Sequence, residues 1–518
     1  MKNAVGRDIP DALLENGRAV YQGKDSMDGK PMQKVGPKTR RYEKPQESKL
    51  VSSLAAALRQ CGAKDGMTFS FHHHLRDGDY VASMTMTAAV EELGLKDLTV
   101  AATSLGNAHD AIADYIEQGK IIGIQTSGIR GRVGEVVSQG KLKTPAIIRS
   151  HGGRPRAIEA GEVHIDIAVI AAPTSDCMGN CRGVGGKSDC GSMGYAMTDA
   201  KFADHVIVVT DCLVDFPNMP ASIEAIDVDA VVVVDSIGNP GKIASAALRM
   251  TQNPRELMMA EQAAKVIAAT PYFKDGFSFQ TGAGGPSLAV NLFLEQYMDE
   301  RNIKMGWAIG GICGPMVELL KKGKVGKVID VQDFDLDSVR SIHRTPGHVE
   351  MSASQYANPA NKGAFVNKLD FVVLAALEID TDFNVNVLTG SDGVLRGAPG
   401  GHPDTAAGSK CCVIVTPLTR GRMATVCEHV VTVTTPGDCV DVLVTDYGVA
   451  VNPRREDLIE CLDKAGIAHV SIESLKEKAY SLVGRPDDLQ WEDQIVAILE
   501  ARDGTILDVV RKIKPVEL

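Results

Sequence analysis

Two stretches of the chain gather glycine where chemistry needs backbone amides. Gly282, Gly284 and Gly285, in GFSFQTGAGG (276–285), fall where an apolar run ends and a helix over about 286–299 begins. Glycine lets backbone approach a phosphate or acyl group, and a helix N-terminus adds N–H donors. Gly393, Gly397, Gly400 and Gly401 lie in TGSDGVLRGAPGGHPDTA (389–406), where converging amides could serve as an oxyanion site. Asn384 and Asn386 precede this loop, directly after a strand, and Arg396 within it could receive a carboxylate or be a surface charge. His402 and Asp404 suit local stabilisation of the loop.

Cationic groups gather elsewhere. His72, His73 and His74 precede Arg76 at a strand exit, and three consecutive histidines cannot all point one way, so they do not form a metal cage. At least one can donate to a carboxylate. Ser127-Gly128-Ile129-Arg130-Gly131-Arg132 and Ser150-His151-Gly152-Gly153-Arg154 are further glycine-flanked basic loops. Together they imply a positive pocket and an anionic substrate, against the alternative of scattered solvated charges. A dinucleotide site is disfavoured. The strand KMGWAI (304–309) runs into Gly310-Gly311-Ile312 without the acid that would hold a ribose. A tight turn without ligand is the other reading of QTGAGG.

An internal repeat organises these loops. IDIAVIAAPTSDCMGN (165–180) is echoed by LDFVVLAALEIDTDFN (369–384), an offset of 369 − 165 = 204. HVIVVT (205–210), EQGKIIGI (117–124) and VDAVVVVD (228–235) have echoes at 412–416, 321–328 and 440–446, so the chain reads as two copies of one fold. Each copy opens with a helix and a strand: LVSSLAAALRQCG before GMTFSF (66–71), and Asn253-Pro254 capping a helix to about 268 before GFSFQT. Continuous apolar strands alternating with amphipathic segments predict an α/β protein of mainly parallel sheets flanked by helices. The expected division is an N-terminal arm over 1–47, a first unit over 48–250 and a second over 251–518.

The 518 residues carry a net charge of −11, which argues against nucleic acid as a partner. Residues 1–49 hold 11 Lys/Arg and 7 Asp/Glu, a net of +4, so that a loosely ordered arm or a docking arm for an acidic partner is expected there. No apolar stretch is long enough to span a bilayer. The 11 cysteines suit reduced cytoplasmic thiols, and the spacing of Cys177, Cys181 and Cys190 is not that of a zinc site, so no metal is expected.

The doubled pattern with GMTFSF, QTGAGG and LTGSDGVLRGAPGGHPDTA resembles the CoA-transferase superfamily, and within it the citrate lyase alpha-subunit family. SFHHHLRDGD, IRSHGGRPR, RMTQNPREL, GFSFQTGAGGPSLAV, SASQYAN and ALEIDTDFNVNVLTGSDGVLRGAPGGH carry the likeness, from about residue 48 to the C-terminus. The resemblance implies exchange of acetyl for citryl on a thioester, within a cytoplasmic multi-subunit complex. Its partners there are a citryl lyase (beta) subunit and an acyl carrier (gamma) subunit, with further copies of this chain. The chain itself holds no cofactor; it acts on the carrier's phosphoribosyl-dephospho-CoA arm, with CoA thioesters as surrogates. Gly400, Gly401, Asn384 and Glu378 are then the catalytic candidates. Gly282, Gly284, Gly285, Gly310, Gly311 and Gly397 line the arm. His72, His73, Arg76, Ser127, Arg130, His151 and Arg396 face the substrate.

One departure bears on mechanism. Superfamily members that use a covalent glutamyl thioester carry the Glu in a Ser-Glu-Asn-Gly-like motif, where this chain reads AIGGICGP (308–315). Direct exchange in a ternary complex follows, with Glu378 the remaining nucleophile candidate and Glu318 expected to face solvent. Alternatives are a citramalate-type transferase, a non-catalytic scaffold, or a sugar-phosphate isomerase, against which the doubling counts.

Overall fold

The computed structural model describes all residues except 27, 37–45, 244–250, 283 and 515–518, with Asn16 described by its backbone alone. Its first sheet is ten-stranded, in the order Leu50–Val51, Ala230–Val233, His205–Thr210, Ile167–Ala172, Thr68–Phe71, Leu98–Ala102, Ile121–Thr126, Ala146–Ile148, Trp491–Glu500, Ile506–Ile513. The second is eight-stranded. From the opposite edge it runs Gly448–Val451, Val442–Thr445, Cys411–Val415, Phe371–Leu374, Ser278–Thr281, Met305–Ile312, Val325–Asp333, His348–Glu350. From Ala230–Val233 to Ala146–Ile148 the first order matches the second from Val442–Thr445 to His348–Glu350. The repeat read in the sequence is therefore a repeat of topology. Pairing is parallel throughout these shared strands, and Ile167–Ala172 is wholly buried, as a strand covered on both faces must be.

Local signals explain the flanking helices. Asn253 caps Pro254–Ala269 by accepting the Arg255 amide at 3.0 Å, with Pro254 at the first turn where its missing N–H costs nothing. Ser53 caps Leu54–Gln60. The helical periodicity read from residue 50 is overstated by one element, because Leu50–Val51 is an edge strand on Ala230–Val233. Met305–Ile312 is longer than expected, so Gly310 and Gly311 are inside a strand rather than in a loop after it.

Both chain ends meet at one edge of the first sheet. The hairpin Trp491–Ile513 does not belong to the second sheet. Its Ala497, Ile498 and Leu499 pair with Ala146, Ile147 and Ile148, covering an edge that the first unit would otherwise expose. The arm, where described, is docked on its own chain. Val20 bridges Ile506, Arg18 meets Glu500 at 2.6 Å, and the Tyr21 hydroxyl donates to Asp438 at 3.0 Å. Ile9, Val20 and Tyr21 are buried against the hairpin and its neighbours, which supplies the apolar anchor that the arm's composition obscures. The expected boundary near 250 and arm residues 37–45 lie outside the described residues.

Candidate active site

The carboxyl ends of the two sheets face each other across one cavity of about 390 Å³. Backbone bonds fasten the units around it: the Ile129 amide donates to the Gly397 carbonyl (2.9 Å), His151 to Gly400 (2.8 Å), and Gly400 to Ser127 (3.2 Å). Asp404 locks the same seam by accepting the Ser150 hydroxyl and the Gly152 amide, each at 2.8 Å.

From the first unit, the exit of strand Thr68–Phe71 delivers His73 and Arg76 to the cavity, while Arg130, His151 and Tyr195 complete that wall. His73 stacks on Tyr195 at 4.8 Å and on His151 at 5.5 Å, and its Nδ1 is 2.6 Å from the Thr103 hydroxyl. Burial, then neighbouring cationic groups, drives both histidines down, His151 to about 3, so both rings are neutral at physiological pH. The cations of the pocket are the two guanidiniums. Arg76, held down to about 10 by burial and then by Arg130, lies 5.1 Å over the Phe334 ring. Arg130 Nε is buried with no hydrogen-bond partner. Asp77 is the one carboxylate among the described lining residues. Two half-buried guanidiniums, with Arg130 Nε unpaired, make a receptor for a polycarboxylate.

The second unit supplies Gln280, Thr281, Gly282, Gly284, Gly311, Tyr356, Gly400, Gly401 and His402. Gln280 donates to the Tyr356 hydroxyl at 2.8 Å. Gly310 adopts φ +101°, and a side chain there would come 2.6 Å from Gln280 Nε2, so glycine is required to let this amide reach the cavity. Gly284 precedes the helix Gly285–Arg301, whose first turn is aimed from the cavity wall.

Of the sequence-predicted residues, His73, Arg76, Arg130, His151, Gly282, Gly284, Gly311, Gly400 and Gly401 therefore share the cavity. The others are placed elsewhere. His72 Nε2 is 2.9 Å from Asp199, which also takes both Arg154 terminal nitrogens at 2.7 and 2.6 Å; this buried triad stands behind the wall. The Ser127 hydroxyl donates to the Ser150 carbonyl. Arg396 is exposed and paired with Asp392. Asn384 accepts the Gly437 amide and bonds Asp380, closing a turn. Glu378 accepts from Asn386 (2.8 Å) and the Val431 amide (3.0 Å), away from the cavity. Gly397 is the cross-unit bridge, Gly285 the first helical residue, and Gly310 the neighbour of Gln280. Tyr195, Gln280, Gln332, Phe334 and Tyr356 were missed. A glutamine inside the apolar run GFSFQT is the signal that could have found Gln280; Tyr356, in the family-like SASQYAN, carried no chemical cue by itself.

Paired parallel sheets meeting at a glycine-lined cavity define a CoA-transferase-like protein. The alpha subunit of a malonate decarboxylase from Acinetobacter baumannii shares that fold, at a TM-score of 0.64 and 15% identity over 84% of this chain and 87% of its own. The family model described as citrate lyase, alpha subunit (CitF) matches residues 47–513, and the chain belongs to that family. It is 50% identical to the citrate lyase alpha chain of Haemophilus influenzae over 468 residues, 90% of this chain and 93% of the relative. It is also 50% identical to that of Escherichia coli over 476 residues, 92% and 93% respectively. A solved structure described as the putative alpha subunit of citrate lyase from Streptococcus mutans, in complex with citrate, matches at a TM-score of 0.95 and 49% identity, covering 99% of this chain and 100% of that one. The resemblance read from the motifs is thus borne out.

Proposed function

We propose that this cavity exchanges acetyl for citryl on a thioester, converting citrate and acetyl thioester to citryl thioester and acetate. A citrate carboxylate attacks the acetyl carbonyl and expels the thiolate, leaving an acetyl–citryl anhydride. The thiolate then attacks the citryl carbonyl and acetate departs. One thioester replaces another, so no energy donor is consumed.

The observation that carries this reading is the pair Arg76 and Arg130, half-buried and lining one cavity that the glycine-lined exit of the second sheet also borders. The guanidiniums receive citrate carboxylates. Neutral His73 and His151 offer N–H donors without adding charge. The amides at Gly284–Gly285 and Gly401 steady the oxyanion, and one such donor is worth roughly 10²–10³ in rate. Orientation of carboxylate against thioester contributes on the order of 7 kcal/mol more. Direct exchange is favoured because no Glu is among the described lining residues.

The arm that delivers the thioester is the phosphoribosyl-dephospho-CoA group of a carrier subunit. A lyase subunit consumes the citryl product, and the complex is cytoplasmic; no described helix is long and apolar enough to cross a membrane. The test uses purified protein, acetyl-CoA and citrate: acetate and citryl-CoA should appear together. Absence of citrate-dependent acetate release refutes the assignment.

A further inference from the structure

A second cluster of chemically competent groups stands behind the cavity wall. Strand Val325–Asp333 is bulged at Val331, since Gly310 pairs with Asp330 but Gly311 with Gln332. The extra residue turns Asp330 and Asp333 toward one side, where strand His348–Glu350 brings His348. One ligand atom from each of the three lies within 4.8 Å of the other two. Asp330 and Asp333 have no solvent exposure, and Oδ1 of each has no partner beyond the facing carboxyl of the pair. Glu350 and Asp335 add negative charge around Asp330, and His348 is the group that offsets it at Asp333. Two buried carboxyls this close either share a proton or take a bound cation as counter-charge.

The imidazole is oriented as a ligand is. His348 Nδ1 is 3.0 Å from the Ser341 hydroxyl, which is itself 2.9 Å from the Thr345 hydroxyl. Its Nε2 lies 3.1 Å from Asp330 Oδ2. A hydroxyl bonded to the far ring nitrogen is a usual support of a metal-bound histidine.

We infer that Asp330, Asp333 and His348 bind a divalent transition cation, zinc or manganese, at the junction of the two units. Carboxylate and imidazole together suit these ions. Asp333 Oδ2 already accepts the Ser192 amide of the first unit at 2.7 Å, and Ser192 donates to the Asp330 carbonyl at 3.1 Å. The ion would therefore fasten both units at once. The residues flanking Asp333 line the active-site cavity: Gln332, which donates to the His73 carbonyl at 2.9 Å, and Phe334 beneath Arg76. The ion is a structural clamp on that wall and takes no part in acyl exchange.

The test uses the untagged full chain, stripped with chelator and then titrated with zinc or manganese by calorimetry and elemental analysis. One equivalent should bind and raise the melting temperature. Asp333→Asn and His348→Gln should abolish it, whereas His164→Ala, in the partly exposed cluster His164–Asp166–Asp204, should retain it. Ser341→Ala, which removes only the second-shell bond, should weaken affinity about 10–100-fold. X-ray absorption of the loaded wild type should show oxygen and nitrogen neighbours at about 2.0–2.2 Å including imidazole, which keeps the test alive if a ligand variant misfolds. No binding by the wild type, as for carboxyls that merely share a proton, overturns the inference. So does an equivalent that survives both ligand substitutions.

Discussion

His151 donates its backbone amide to the Gly400 carbonyl at 2.8 Å, and the Gly400 Cα faces the imidazole of the same histidine. Gly400 is at φ +53°, where a β-carbon would also come 3.3 Å from His151 Nε2. Gly400→Val should therefore lower acyl exchange by about 100-fold or more, displacing the loop that offers its amides. Backbone strain should cost only about 1–2 kcal/mol of stability. Exchange assays beside urea titration check it; a variant that simply unfolds makes Gly400 a turn residue and nothing more.

Arg76 and Arg130 should separate from the thioester half of the site. Arg76→Met and Arg130→Met are each expected to raise KM for citrate about 10–100-fold, the loss of a charge-assisted hydrogen bond, while KM for acetyl-CoA changes little. Steady-state kinetics with each substrate varied in turn decides this. Equal effects on both constants would place the guanidiniums on the arm.

Asp199 should matter through stability. Burial alone would raise its pKa, but Arg154 and His72 hold it well below the usual carboxylate range. A depressed carboxyl contributes stability above its unfolded pKa and loses it as pH falls below about 4. Asp199→Asn leaves Arg154 buried without its partner and should cost about 3–5 kcal/mol at pH 7, read by chemical denaturation.

The neutral histidines set an acid limit of their own. His151 is held to about 3 by burial and then by Arg154, Arg76 and Arg130. The unfolded chain binds the extra proton between about pH 3 and 6.5, so stability rises with pH across that window. Its slope approaches about 1.4 kcal/mol per pH unit for each such group. His151→Gln should flatten the acid side of the stability profile; an unchanged slope would mean the ring is charged when folded.

Glu378→Gln should leave acyl exchange within about threefold, since the carboxylate is spent on Asn386 and Val431. Borohydride after acetyl-CoA alone should mark no carboxylate by mass analysis. A reduced Glu378 would replace direct exchange with a covalent route.

The doubled topology was legible because buried parallel strands leave long apolar echoes, such as IDIAVIAA and LDFVVLAA. Residues at the strand exits were legible for the same reason: once strands are placed, His73, Arg76 and Gly282 must lie at a sheet end. Which of them turn inward was not. His72 and His73 differ by one position, yet one is spent on Asp199 and the other lines the cavity. Alternation settles that only when the strand's facing partner is known. Glu378 and Asn384 are candidates by closeness to a strand end, but Glu378 pairs with Asn386 in a small sheet and Asn384 lies in the turn between its strands, both away from the cavity. The docking of residues 491–513 on Ala146–Ile148 joins parts of the chain too far apart for any local pattern to show.

That docking also fixes an order of events during synthesis. A ribosome releases Ala146–Ile148 long before Ala497–Leu499 exist to pair with it, and Val20 long before Ile506. The unit that begins first is thus completed last, with its outer strand bare throughout translation of the second. A nascent or prematurely terminated chain ending before residue 491 carries an open parallel edge and an unseated N-terminal segment.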